Sequence, residues 1–334
     1  HFVPVFIDQM ISRGEFLTAY TPYQGEASQG SLQAFFEFQT QVVRLTGMDI
    51  ANASLYEGAS ATAEAVLMAV NSTGKHHVLV AGSVHPHTLA VIQTVMSDLP
   101  ITVEVVPPGT DGRTSPKDVR DRVKPTTACL VVQSPNVWGV IEDWEELFTA
   151  LKEIDANRVA IAVFNPTACA LLKTPGACGA DVAAGEGQPL GIPLQFGGPY
   201  LGLFAARKSF MRRMPGRLVG QTVDAKGRRA FCLTLQTREQ HIRGSKATSN
   251  VCTNQGLLAL RATMYMSAMG PQGIREVAEQ CWHKAHEAAR RIAAIPGYAR
   301  VHSAEFFHEF AVRCPAPASK VIAKAKARGI LAGV

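Results

Sequence analysis

The residues with chemical potential fall in a few short clusters. Glu57-Gly58-Ala59-Ser60-Ala61-Thr62 places small residues and hydroxyls at the start of a helical stretch, Ala63–Val70. Open backbone N–H groups at a helix start attract anions. Gly58, Ala59 and Ser60 therefore read as a phosphate cradle or as an ordinary capped helix, and the motif alone favours the cap. His85 follows the apolar run Val78–Ala81. Its ring can cover a bound molecule or cap the next helix. Asn165 ends another apolar run, Val159–Phe164, and precedes Pro166, where a turn residue is expected. The stretch Asp181–Tyr200, DVAAGEGQPLGIPLQFGGPY, has no lysine. Gln188 and Pro189 stand in its middle, and neither side chain can form an imine. No residue is assigned as a catalytic group.

Two polar runs complete the set. Tyr20–Gly30 is rich in hydrogen-bonding groups and turn formers. Tyr20, Thr21, Tyr23, Gln24, Ser28 and Gln29 suit a surface loop that docks into a neighbouring subunit; the alternative is a loop packed on its own domain by its tyrosines. Thr237–Asn250 holds Arg238, Arg243 and Lys246, which suit contacts to carboxylate or phosphate. Lys246 follows no buried strand, so an ion pair within or between subunits is its expected use.

The elements that must position these residues alternate. Val78–Ala81, Ile101–Val106, Ala128–Gln133 and Val159–Phe164 read as apolar strands. Thr88–Leu99, Ser115–Val123 and Trp144–Ile154 between them have helical spacing. This pattern predicts a mostly parallel sheet covered on both faces, with ligands at the carboxyl ends of its strands. Long helices are expected over Leu257–Met269 and Gly273–Ile295, then a strand at Glu309–Val312 and a helix over Lys320–Arg328 capped by Gly329. The expected organisation is an N-terminal arm and helix over 1–50, a large α/β domain over 51–295, and the start of a small α+β domain over 296–334. Both ends read as cuts, so a targeting signal upstream would be invisible.

Composition narrows the function classes. The chain has 334 residues, 47% of them hydrophobic, enough for a sizeable core rather than disorder. Its net charge of +6 comes from scattered Lys and Arg. The denser run Arg207–Arg217 reads as a helix with a solvated basic face, not a nucleic-acid patch. Seven cysteines without CxxC or zinc-ligand spacing fit a reduced, intracellular chain with core thiols and no metal. No apolar stretch is long enough to span a membrane.

Longer segments carry a resemblance. They are TAYTPYQGEASQGSLQ (Thr18–Gln33), EFQTQVVRLTGMDIANASLYEGASATAEA (Glu37–Ala65), QSPNVWGVIED (Gln133–Asp143), GEGQPLGIPLQFGGPYLGLFA (Gly185–Ala205) and LTLQTREQHIRGSKATSNVCTNQ (Leu233–Gln255). Together they resemble the glycine dehydrogenase (decarboxylating) family, the P-protein of the glycine cleavage system, and within it the N-terminal half or subunit 1. The resemblance implies a fold-type-I, aminotransferase-like pyridoxal-phosphate architecture. It also implies that the cofactor's lysine lies on subunit 2, with Gln188-Pro189 near the equivalent position here. Asn165 stands where such an enzyme holds an aspartate against the cofactor ring. Gly58, Ala59, Ser60, His85 and Asn165 would be relics of a cofactor site. The implied reaction is glycine decarboxylation with transfer of the aminomethyl group to the lipoyl arm of H-protein. The implied assembly is two of each subunit, in the bacterial cytoplasm. Two other readings stay open: a self-sufficient pyridoxal enzyme using another lysine such as Lys246, and a non-catalytic scaffold or regulatory module on a relic fold.

Overall fold

The structure is a computed structural model and describes residues 2–332. Three helices open the chain: α1 (Val5–Ile11), α2 (Gly14–Leu17) and α3 (Gln29–Thr46). The alternating region follows as β1 (Ile50–Ala51), α4 (Gly58–Thr73), β2 (His77–Ala81), α5 (Pro86–Met96), β3 (Thr102–Val106), α6 (Pro116–Arg122), β4 (Thr127–Ser134), α7 (Trp144–Lys152), β5 (Val159–Phe164), β6 (Val182–Glu186) and β7 (Gly202–Ala206). These strands form one sheet in the order β1-β7-β6-β5-β4-β2-β3. Strands β2 to β6 pair in parallel, and β7 runs antiparallel to both of its neighbours.

The parallel order follows from the residues. β2 and β5 are buried at every position, so each strand needs cover on both faces and reads as an unbroken apolar run. The chain turns outward from β2 to the edge strand β3, then returns to β4 on the other side of β2. In open sheets of this kind such a reversal is where a crevice forms, here at the carboxyl ends of β2 and β4. The His85 amide donates to Gln133 Oε1 between these two strand ends, at 2.8 Å.

Beyond the sheet, β8 (Leu218–Val223) and β9 (Arg229–Thr234) form an antiparallel hairpin. The short helix α8 (Gln240–Arg243) leads to α9 (Gly256–Ala293). α9 breaks at Gly270, whose φ of +60° precedes Pro271, so the expected pair of helices is present with its break at the expected place. The C-terminal residues give a two-stranded ribbon, β10 (Ala299–Arg300) with β11 (Val312–Arg313), and helix α10 (Ala318–Lys326).

Two expectations are corrected. The basic run is a 3-10 turn over Lys208–Arg213 rather than a longer helix. The last strand starts at Val312 rather than Glu309, because Phe306 and Phe307 are drawn into the core and the Phe307 amide bonds to the Gly139 carbonyl. The N-terminal segment packs onto the sheet. Leu32, Phe35, Phe38 and Val42 form one stripe of α3, and all four are buried in the same core as the sheet.

Candidate functional site

The start of α4 reaches the carboxyl end of β6. Gly58 is required there: a Cβ would lie 2.9 Å from the Glu186 Cβ and 2.9 Å from its backbone nitrogen. The close approach lets the Gly58 amide donate to Glu186 Oε2 at 2.9 Å. Glu57 caps the next two positions, accepting from Ala59 N at 2.5 Å and Ser60 N at 2.6 Å. All three amides that read as a phosphate cradle therefore hold carboxylate oxygens of this same chain. Thr62 spends its hydroxyl on the Gly58 carbonyl. The capped-helix reading describes this motif.

Glu186 holds more than the helix. Its Oε1 accepts from Gln188 N at 2.9 Å and Leu201 N at 3.2 Å, so one carboxylate ties α4, the turn after β6 and the start of β7. Burial, with Glu57 nearby, pushes this carboxyl above its ordinary range even though three amides favour the charged form.

A cleft of about 710 Å³ opens beside this junction. Asn165, Gln188 and Pro189 line it, so the structure brings together these three positions from two strand ends. Gln188 Nε2 donates to the Ile192 carbonyl at 2.7 Å, and Asn165 Oδ1 caps the following turn by accepting from Thr167 N at 2.9 Å. The opposite wall comes from α9, with Tyr265, Glu276, Cys281 and Lys284, and His308 also contributes. None of these was singled out in the sequence. The available signal was the spacing of Glu276, Gln280 and Lys284, which puts three polar side chains on one helical face. Burial lowers the affinity of His308 for a proton, and its buried Nδ1 has no hydrogen-bond partner. Tyr265 is pushed up by burial, then by Cys281.

Neither Asn165 nor Gln188 has a side chain that can form an imine. Both are neutral amides held by bonds within the chain, and the amides at the N-terminus of α4 are filled by Glu57 and Glu186. Lys284 is the lysine that lines the cleft. Lys246 lies elsewhere, beside Met68 and Asn71 of the second half of α4.

The remaining predicted residues divide. His85 caps α5, its Nδ1 accepting from His87 N at 3.2 Å, and its ring meets that of His87 edge-on. Tyr23 packs on its own domain: its hydroxyl bonds Asn254 Oδ1 at 2.6 Å, and the Arg217 guanidinium lies over its ring. Gln29 bonds both the amide and the carbonyl of Phe231. Ser28 is half-buried at the start of α3, with no side-chain cap bond. Tyr20, Thr21 and Gln24 are exposed, Tyr20 to 94%. Arg238, read as an anion contact, is instead buried and donates to the carbonyls of Met214, Gly216 and Leu235. Burial of the guanidinium and its three carbonyl bonds keep it from a ligand arriving from solvent. Arg243 and Lys246 are exposed.

Comparison with known proteins agrees with this architecture. Residues 1–332 match the family described as Glycine cleavage system P-protein. A protein of Thermomicrobium roseum described as probable glycine dehydrogenase (decarboxylating) subunit 1 is 50% identical over 335 residues, covering all of this chain and 74% of its own length. Its counterpart in Chlorobium limicola is 49% identical over 333 residues, covering all of this chain and 75% of its own length. A crystal structure of glycine decarboxylase (P-protein) of the glycine cleavage system, in inhibitor-bound form, superposes with a TM-score of 0.93 at 43% identity, covering 99% of this chain and 74% of that one. An aspartate aminotransferase from Thermus thermophilus shares the fold at a TM-score of 0.70 and 16% identity, covering 98% of this chain and 85% of that one. With its sheet order, its lysine-free turn after β6 and this match along nearly its whole length, the chain belongs to the glycine cleavage system P-protein family.

Proposed function

We propose that this chain is the subunit of glycine decarboxylase that lacks the Schiff-base lysine, and that it works in the glycine cleavage system. What supports the reading is the self-filled junction of α4 and β6, in which Glu57 and Glu186 occupy the three amides at the start of α4, together with the lysine-free segment around Gln188. Pyridoxal phosphate is then held covalently by a second subunit, where it supplies the electron sink for loss of carbon dioxide from glycine. The lipoyl arm of H-protein is the acceptor of the aminomethyl group. This chain walls the shared site, excludes water from it and offers polar contacts to substrate or carrier. Tyr20, Thr21 and Gln24 are its free docking groups, whereas Tyr23, Ser28 and Gln29 shape the loop that presents them. Two of each subunit make the assembly.

The test is reconstitution. The purified chain alone should show no glycine–bicarbonate exchange and no pyridoxyl adduct after borohydride treatment, and exchange should appear when the second subunit is added. A stoichiometric borohydride-stable adduct mapped to Lys284 or Lys246 of this chain would overturn the reading.

A further inference from the structure

At the far end of α4 from the cleft, four cations surround a pocket of about 430 Å³. Arg212 and Arg213 come from the 3-10 turn after β7, and Arg243 and Lys246 from the loop that follows β9. Asn71 and Thr248 add neutral polar groups, and no carboxylate lines the pocket. Among the described residues none of the four cations forms an ion pair, although exposed Lys and Arg elsewhere pair with nearby acids. Arg213 is oriented by its donation to the Ser72 carbonyl at 2.9 Å. The site is separate from the cleft: Asn71 is thirteen residues along α4 from Gly58, on the order of 20 Å at 1.5 Å per residue.

We infer that this pocket binds a small, multiply charged phosphoanion. Four like charges converging from two segments repel one another, and a compact polyanion relieves that repulsion while accepting hydrogen bonds from the guanidinium forks. A single carboxylate would neutralise only one of the four. The pocket lies within the size range of small-molecule sites, roughly 300–1,000 Å³. It owes nothing to the pyridoxal chemistry proposed above, so it stands or falls independently.

Calorimetric titration of inorganic pyrophosphate into the full chain tests it. The expected result is saturable one-to-one binding, tighter for pyrophosphate than for orthophosphate and weakened by added salt. The double variant Arg243→Gln/Lys246→Gln should lose on the order of tenfold or more in affinity, as charge-assisted bonds are removed. Both side chains are exposed and make no hydrogen bonds among the described residues, so folding should be unaffected. Should that variant fold poorly, Asn71→Asp places a carboxylate in the pocket and should weaken binding as well. Arg228→Gln removes a cation that is paired with Asp224 instead, and should leave binding unchanged. No saturable binding at millimolar pyrophosphate, or equal losses in the Arg228 variant and the pocket variants, would overturn the inference in favour of a merely solvated basic surface.

Discussion

Glu186→Ala is the substitution that most directly probes the junction of helix and sheet. In the native chain its carboxylate accepts three backbone amides, at 2.9, 2.9 and 3.2 Å. Hydrogen bonds to a charged group contribute about 1.5–3 kcal/mol each, with the longest at the low end. Against that stands the cost of burying the charge, visible in the upward push on its pKa. The balance leaves a net loss of about 2–4 kcal/mol for the alanine variant, which orphans three amides at once. Glu186→Gln should cost less, about 1–3 kcal/mol. Its oxygen can serve the two amides of Gln188 and Leu201, but its NH₂ then faces the Gly58 amide, donor against donor. Urea unfolding followed by circular dichroism, with linear extrapolation, measures both. The pH dependence gives a second check. A carboxyl raised on folding binds more protons in the native state between its ordinary value and the raised one, so stability falls as pH rises through that window and levels off above it. Glu186→Gln should remove this slope. A loss below about 0.5 kcal/mol for Glu186→Ala would refute the view that this carboxylate fastens α4 to β6.

Other outcomes follow from the same structure. Gly58→Ala sets a Cβ against the Glu186 backbone at 2.9 Å and should cost about 2–4 kcal/mol in the same unfolding assay, from overpacking together with a weakened amide bond. Arg238→Gln strips the Met214, Gly216 and Leu235 carbonyls of a charged donor and should destabilise by about 2–4 kcal/mol; a neutral effect would restore Arg238 as a candidate ligand contact. His77 and His308 have depressed pKa values because burial disfavours their charged forms, so the unfolded chain takes up more protons below the ordinary histidine value. Stability should therefore fall as pH drops from about 6.5 toward those lowered values, and His308→Gln should show a shallower fall than wild type; an equal slope would be the contrary result. Tyr20→Ala should leave the unfolding free energy within about 0.5 kcal/mol of wild type because the ring is 94% exposed, while glycine–bicarbonate exchange in the assembled enzyme drops.

Much of the frame was legible before folding was considered. The runs Val78–Ala81 and Val159–Phe164 have no polar alternation, which is the mark of strands buried on both faces, and they became β2 and β5. Gly270-Pro271 broke the long helix because glycine reaches φ of +60° freely and proline lacks the amide needed to continue the ladder. The cleft's second wall was hidden, since Asn165 and Lys284 are far apart in sequence and meet only when α9 folds back over the strand ends. Charge alone also misled at Arg238. A guanidinium in a polar run looks like a ligand contact until burial and its three carbonyl partners are known.

The sequence by itself determined the strand–helix alternation and the absence of an imine-forming residue between Asp181 and Tyr200, because side-chain chemistry and periodicity are local properties. Only the tertiary structure decided what the lysine-free segment does. Glu57 and Glu186 are separated by more than a hundred residues, yet together they fill the amide seat at the start of α4. That occupancy depends on Gly58 having no Cβ and on β6 ending within hydrogen-bond reach of the helix, which are relations between distant segments.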